Sequence, residues 1–340
     1  MKSLLQKLTQ TPGPSGYEHQ IRDVVENEIK DLADAYWIDN LGNLIARKGS
    51  EGPKVMLAAH MDELGVMVTH IDEKGFVRFL PVGTVYPRTC LGGRVRFLNG
   101  MTGVIGAERQ EDINRVPSFD QLFIDVGVSS RDECPLQVGD VGVFDRQFED
   151  LGRRVTSKAL DNRIGVTVLI ETLRKIAAEN IQIPQQVFFV FSVQEEVGVR
   201  GAPAAAFDIS PDLGLAVDVT GSGDTPNGSR LEISLGKGPA IKVRDQGMLS
   251  DPRVVQWMVQ TAEQHGLPYQ LEVLPRGGTD ARGIQVSRSG VPAGGLVIPC
   301  RYVHSPSELA DIEDAQNAVR LLVELLRSPF NPEGTEERSG

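Results

Sequence analysis

Three apolar runs, each ending in residues able to bind a metal or move a proton, constrain this chain most. Residues 54–59, KVMLAA, lead into His60; residues 187–193, VFFVFSV, lead into Glu195 and Glu196; residues 213–217, LGLAV, lead into Asp218. Short runs of this composition read as buried strands. Between the first two, Val166, Leu169, Leu173, Ile176 and Ala177 recur at helical spacing. A helix is expected near Ser250, with Pro252 at an early position and Val254, Val255, Met258 and Ala262 on one face. Another is expected from about Asp311, carrying Ile312, Ala315, Val319, Leu322, Val323 and Leu326. Near the start, Ser15-Gly16-Tyr17-Glu18 has the spacing of a capping box ahead of Ile21, Val24, Val25, Ile29 and Leu32. Strands alternating with helices give an α/β sheet covered by helices on both faces, and such folds put polar site residues at strand C-termini.

The stretch from about 65 to 152 differs. It is rich in Gly, Val and short alternating runs, such as 75–80, 94–98 and 101–107, with little helical periodicity. This reads as a small all-β domain inserted into the α/β domain, which then comprises 1–64 and 153–330. A chain of 340 residues exceeds the size at which one core usually stops growing, in keeping with two domains. The polar end, NPEGTEERSG at 331–340, reads as a flexible tail.

Charge and cysteine usage narrow the function classes. The net charge is −11, with no Lys/Arg block, which argues against nucleic acid or anionic membranes as partners. No apolar run approaches the length of a membrane span. Cys90, Cys134 and Cys300 are odd in number and widely spaced, so neither a disulfide framework nor a cysteine zinc site is indicated. MKSLLQKLTQ is interrupted by Gln6 and Lys7 and does not read as a signal peptide. The expectation is a cytoplasmic protein.

The candidate site residues are His60 in AHMDELG, Asp161 in ALDNR, Glu195 and Glu196 in VQEEVG, Asp218 in AVDVT and His304 in RYVHS. Two histidines and several carboxylates suit zinc or a related divalent ion. A hydrolytic pair of ions needs one bridging ligand, and a carboxylate has two oxygens for it. One distribution gives the first ion His60 and Asp218, the second Glu196 and His304, and lets Asp161 span both. Three carboxylates against two dications leave a small positive charge, which favours deprotonating a water near neutral pH. Asp62 follows His60 by two positions and, on a continuing strand, shares its face, where it fixes the imidazole tautomer. Glu195 and Glu196 diverge on an extended segment. One ligates and the other serves as general base, and spacing alone leaves open which is which.

The segments AHMDE at 59–63, ALDNR at 159–163, QEEVG at 194–198, VDVT at 217–220, GGTDA at 277–281 and RYVHS at 301–305 together resemble the glutamyl/deblocking aminopeptidase family. These are tetrahedral, self-compartmentalising peptidases, some of which have carried a cellulase label. The matching segments span nearly the whole chain in the family's order. The resemblance implies a zinc-exopeptidase-like fold, a mixed sheet sandwiched by helices with a small inserted β-barrel-like domain that mediates assembly. It also implies removal of N-terminal residues from short peptides. By the same resemblance His60 and Asp218 hold one ion, Glu196 and His304 the other, Asp161 bridges, Glu195 is the base and Asp62 orients His60. Two ions per subunit are implied, zinc first, with cobalt or manganese as alternatives, and so is a homododecamer built from dimers. A cis peptide is implied between Asp161 and Asn162. The GGTDA loop either touches substrate or is only a tight turn.

Two rivals compete. A glycoside hydrolase needs two carboxyls roughly 5–9.5 Å apart across a sugar, which consecutive residues on a strand do not present. A metal-stabilised scaffold without catalysis would close its coordination shell with protein ligands, whereas here an additional carboxylate stands beside the expected ligands.

Overall fold

The computed structural model describes residues 1–112 and 114–330; the expected tail at 331–340 lies outside the described residues. Four parallel strands form the centre of an 11-stranded mixed sheet, in the order Gln186–Ser192, Lys54–His60, Leu213–Gly221 and Ala293–Arg301. Strands Leu44–Lys48 and Ala35–Ile38 extend it antiparallel on one side. Glu308–Asp311, Arg154–Ser157 and Glu149–Leu151 extend it on the other.

Alternation along Lys54–His60 explains why this sheet is covered twice. Val55, Leu57 and Ala59 enter a large apolar cluster with helices Lys2–Gln10, His19–Ile29, Leu160–Ala178, Pro252–Gln264 and Ile312–Arg327. Met56 and Ala58 point the other way, into a smaller cluster with Ala202, Ala205 and Ile284 of helices Gly201–Ile209 and Asp280–Gln285. Successive strand side chains face opposite sides, so a run with no polar residue must be buried on both. Helix Leu160–Ala178 lies hard against the sheet at Gly165, where a Cβ would come within 2.6 Å of the Val217 carbonyl oxygen.

The helices expected near Ser250 and Asp311 are present, and each starts on an aspartate cap. Asp251 accepts from the Arg253 N–H, and Asp311 from the Glu313 N–H. The capping box expected at Ser15–Glu18 does not form. The helix starts at His19 without a side-chain cap, and Ser15 Oγ instead donates to Asp62 at 2.6 Å. A tertiary acceptor has displaced the local one.

Between Gly65 and Phe144 six short strands close into a barrel: Gly65–Ile71, Val77–Val82, Arg94–Phe97, Thr102–Ala107, Leu122–Asp125 and Val141–Phe144. Val66, Val68, Phe79, Val95, Phe97 and Ile124 fill its interior. Strand Glu149–Leu151, on the barrel side of the expected return at 153, already pairs with Arg154–Ser157 in the large sheet, turning at Gly152. Among the described residues no helix is long and apolar enough to cross a membrane, and all three cysteines are free.

Candidate active site and metal centre

The parallel strands deliver their terminal residues to one end of the sheet. His60 ends its strand, Asp218 lies within Leu213–Gly221, and Glu195 and Glu196 follow Gln186–Ser192. Asp161 enters from the irregular first turn of helix Leu160–Ala178, beside a cis Asp161–Asn162 peptide. His304 comes from the turn after Ala293–Arg301 with a left-handed φ of 63°.

The two carboxylate oxygens of Asp161 face different histidines. Oδ1 lies 3.2 Å from His60 Nε2, and Oδ2 lies 3.4 Å from His304 Nε2. Asp218 Oδ1 stands 3.6 Å from the same His60 nitrogen, and Glu196 Oε2 stands 3.5 Å from His304 Nε2. Two ligand groups result, His60–Asp161–Asp218 and Asp161–Glu196–His304, joined at Asp161. Glu195 Oε2 is 4.0 Å from His60 Nε2 and belongs to neither group. Asp62 Oδ1 lies 3.4 Å from His60 Nδ1, on the opposite side of the ring.

These residues fit divalent ions. Imidazole nitrogens and carboxylate oxygens converge from separate elements, a donor set that suits zinc, cobalt or manganese. Glu196 Oε1 is buried without a hydrogen-bond partner among the described residues, a vacancy in bonding that a buried carboxylate does not normally tolerate. Burial, with Asp218 and Asp280 near, pushes Glu195 well above the usual carboxylate range. Burial and Asp161 do the same to Glu196. Burial opposes charge on Asp161 too, but His304 and His60 hold its pKa low. Burial disfavours the His60 cation, yet the carboxylates of Asp161, Asp218 and Asp62 raise its pKa well above normal. So many buried like charges call for positive charge at their centre.

The backbone around Glu195 and Glu196 departs from expectation. The strand stops at Ser192, Gln194 has a φ of 56°, and the two glutamates occupy a turn. Asp62 fixes that turn, since its Oδ1 accepts from Glu195 N at 3.0 Å and its Oδ2 from Glu196 N at 3.2 Å. Glu18 accepts from Gln194 N at 3.1 Å; burial raises its pKa to about 7.

Sequence reasoning missed Glu308. Its Oε2 accepts from Asp161 N at 2.9 Å and its Oε1 from His304 N at 3.0 Å, so one buried carboxylate sets the backbones of two proposed ligands. An acid in the polar stretch SPSELAD carries no signal of burial; only the strand pairing of Glu308–Asp311 puts it there. Asp280 of the GGTDA loop accepts from Ser192 Oγ, and burial lifts its pKa to about 7. The loop's Gly277 and Gly278 line a cleft of about 750 Å³ that also contains His60, Asp161, Glu195 and His304.

The profile of the M42 glutamyl aminopeptidase family matches residues 42–321. The chain belongs to this family. A putative aminopeptidase of Acetivibrio thermocellus is 45% identical over 96% of this chain and 98% of its own length. The lysyl aminopeptidase of Pyrococcus furiosus is 40% identical over 95% and 96%. Among solved structures, aminopeptidase APDkam598 from the archaeon Desulfurococcus kamchatkensis superposes with a TM-score of 0.92 at 42% identity, covering 97% of this chain and 95% of that one. The Pyrococcus horikoshii TET1 peptidase, described as assembling into a tetrahedron or a large octahedral shell, matches with a TM-score of 0.88 at 34% identity over 96% and 99%. A structure from Thermotoga maritima described as an endoglucanase also matches, with a TM-score of 0.79 at 34% identity over 95% and 96%. The M42 chain described here is thus a hydrolase acting on peptide bonds, an aminopeptidase.

Proposed function

We propose that this M42 enzyme removes N-terminal residues from short peptides at a centre of two divalent ions, zinc first among them. The observation that carries the reading is Asp161, whose two oxygens face His60 and His304 separately. His60 and Asp218 would hold one ion, Glu196 and His304 the other, and Asp161 both. The ions would supply Lewis acidity and lower the pKa of a water.

The chain's own residues do the rest. Glu195, outside both ligand groups but 4.0 Å from His60, accepts the proton of the attacking water and returns it to the departing amine. Its burial favours the neutral acid, which makes the carboxylate a stronger base than an exposed one. Asp62 orients His60 through Nδ1 and holds the Glu195–Glu196 turn through two backbone N–H groups. Glycoside hydrolysis has less support: the adjacent glutamates share one turn rather than facing each other across a sugar.

The barrel between Gly65 and Phe144 is proposed as an inserted domain that carries subunit contacts, in a homododecamer built from dimers. Leu80 and Val138 are large apolar side chains exposed there.

Leucine p-nitroanilide and carboxymethylcellulose, each assayed before and after chelation, test the activity. Release of nitroaniline that disappears with the metal and returns with added zinc, cobalt or manganese is expected, with no reducing sugar formed. Full peptidase activity in protein shown by elemental analysis to be metal-free would refute the centre.

A further inference from the structure

Three successive backbone N–H groups of the turn that carries Glu195 end on carboxylates. Glu195 N and Glu196 N donate to Asp62, and Gln194 N donates to Glu18, 176 positions away in the chain. Glu18 immediately precedes helix His19–Ile29 but makes no side-chain cap there. Its Oε1 accepts instead from Gly16 N at 2.7 Å and Gln194 N at 3.1 Å. Ser15 reaches the same turn indirectly, since its Oγ donates to Asp62 Oδ2. Glu18 is buried, with Asp62 nearby, an unfavourable place for an acid.

The bond from Glu18 falls where the backbone needs support. Gln194 has a φ of 56° and Val199 one of 52°, left-handed values that residues with a Cβ seldom adopt and that persist only when the surroundings hold them. Beyond Gln194 the turn closes on itself, with Gly198 N and Val199 N donating to the Glu195 carbonyl. Glu18 is therefore a contact from outside the turn at the residue that aims Glu195. Neither Glu18 nor Gln194 lines the cleft. We propose that Glu18 is a positioning residue: by pinning the Gln194 N–H it keeps that residue left-handed and sets where the Glu195 carboxylate stands. This rests on the reading of Glu195 as the general base.

Two substitutions of similar size separate the bond from mere filling of space. Glu18→Leu removes the acceptor, and Glu18→Gln keeps an oxygen in its place. In the metal-loaded enzyme acting on leucine p-nitroanilide, Glu18→Leu should lower kcat roughly 10- to 100-fold, the scale of a misplaced catalytic group. KM and metal content should stay near wild type. Glu18→Gln should restore most of the rate. Combined with Glu195→Gln, Glu18→Leu should cost nothing further, because the group it positions is already gone. Hydrogen exchange followed by mass spectrometry should quicken in peptides covering 193–200 of Glu18→Leu and stay unchanged in the central strands. Should Glu18→Leu not fold, Glu18→Ala is held to the same criteria. A wild-type kcat in the variant lacking the acceptor, a rate lost together with metal, equal losses in the Gln and Leu variants, or losses that multiply with Glu195→Gln overturn the proposal. Full activity of Glu195→Gln alone refutes the reading of the base instead, and the exchange measurement still decides whether Glu18 holds the turn.

Discussion

Glu195 and Glu196 are covalent neighbours with the same side chain, and their surroundings differ in the way the proposed division of roles requires. Glu196 Oε2 faces His304 at 3.5 Å, whereas Glu195 joins neither ligand group. Amide substitutions should therefore fail in different ways. Glu195→Gln keeps size and polarity but cannot take a proton, so kcat should fall at least ~10²-fold with metal content intact. Glu196→Gln replaces an anionic donor with a neutral one and should lose metal, with partial rescue by excess ion. Rate measurements paired with elemental analysis distinguish the two. Loss of metal in Glu195→Gln with retention in Glu196→Gln would reverse the assignment. The spacing of the sequence pointed to the pair but left open which of the two would ligate. The expected extended segment is a turn, and Asp62, distant in the chain, holds both backbone N–H groups of that turn.

At the scale of elements, the proposed ligands depend on how the N-terminal region is tied to the sheet. Glu63, just after the His60 strand, pairs with Lys158 and lies 3.4 Å from Arg163 Nη2. It also accepts from Gly13 N at 3.1 Å. Arg163 Nη1 donates to the carbonyls of Leu8 and Thr11, at and beyond the C-terminal end of helix Lys2–Gln10, and so joins the Thr11 N–H that closes the last turn on Leu8. One buried carboxylate thus serves two buried cations and anchors a helix. Glu63→Gln should destabilise the protein by about 3–5 kcal/mol, because it strands buried charge. Thermal denaturation of the metal-loaded protein checks this, and a shift no larger than that of an exposed Glu→Gln variant would show the cluster to be dispensable. The sequence placed the strands and the later helices correctly, since their apolar periodicities are strong. Ser15 was misread as a helix cap because its true partner, Asp62, is 47 positions away.

At the scale of the molecule, the large sheet and the barrel are separate apolar cores, one spanning both ends of the chain and the other confined between Leu64 and Phe144. If the barrel joins subunits, multi-angle light scattering should find a closed symmetric oligomer, a dodecamer on the proposed reading. Short peptides should then be cleaved and folded proteins spared. A stable, fully active monomer at working concentration would reject the compartment while leaving the peptidase intact.

The sequence by itself determined the strands, their order of appearance and the residues at their ends. Apolar runs without polar interruption have no stable place except a sheet covered on both faces, and polar residues following such runs must emerge at its edge. The segments around His60, Asp161, Glu195, Asp218 and His304 also sufficed to indicate the family. Tertiary structure alone decided which oxygen of Asp161 faces which histidine, that Glu308 supports both Asp161 and His304 from beneath, and that Glu18 reaches Gln194. These are contacts between residues far apart in the chain. Their distances are set by how the sheet, the helix Leu160–Ala178 and the crossing loops pack, and no local periodicity or spacing encodes that.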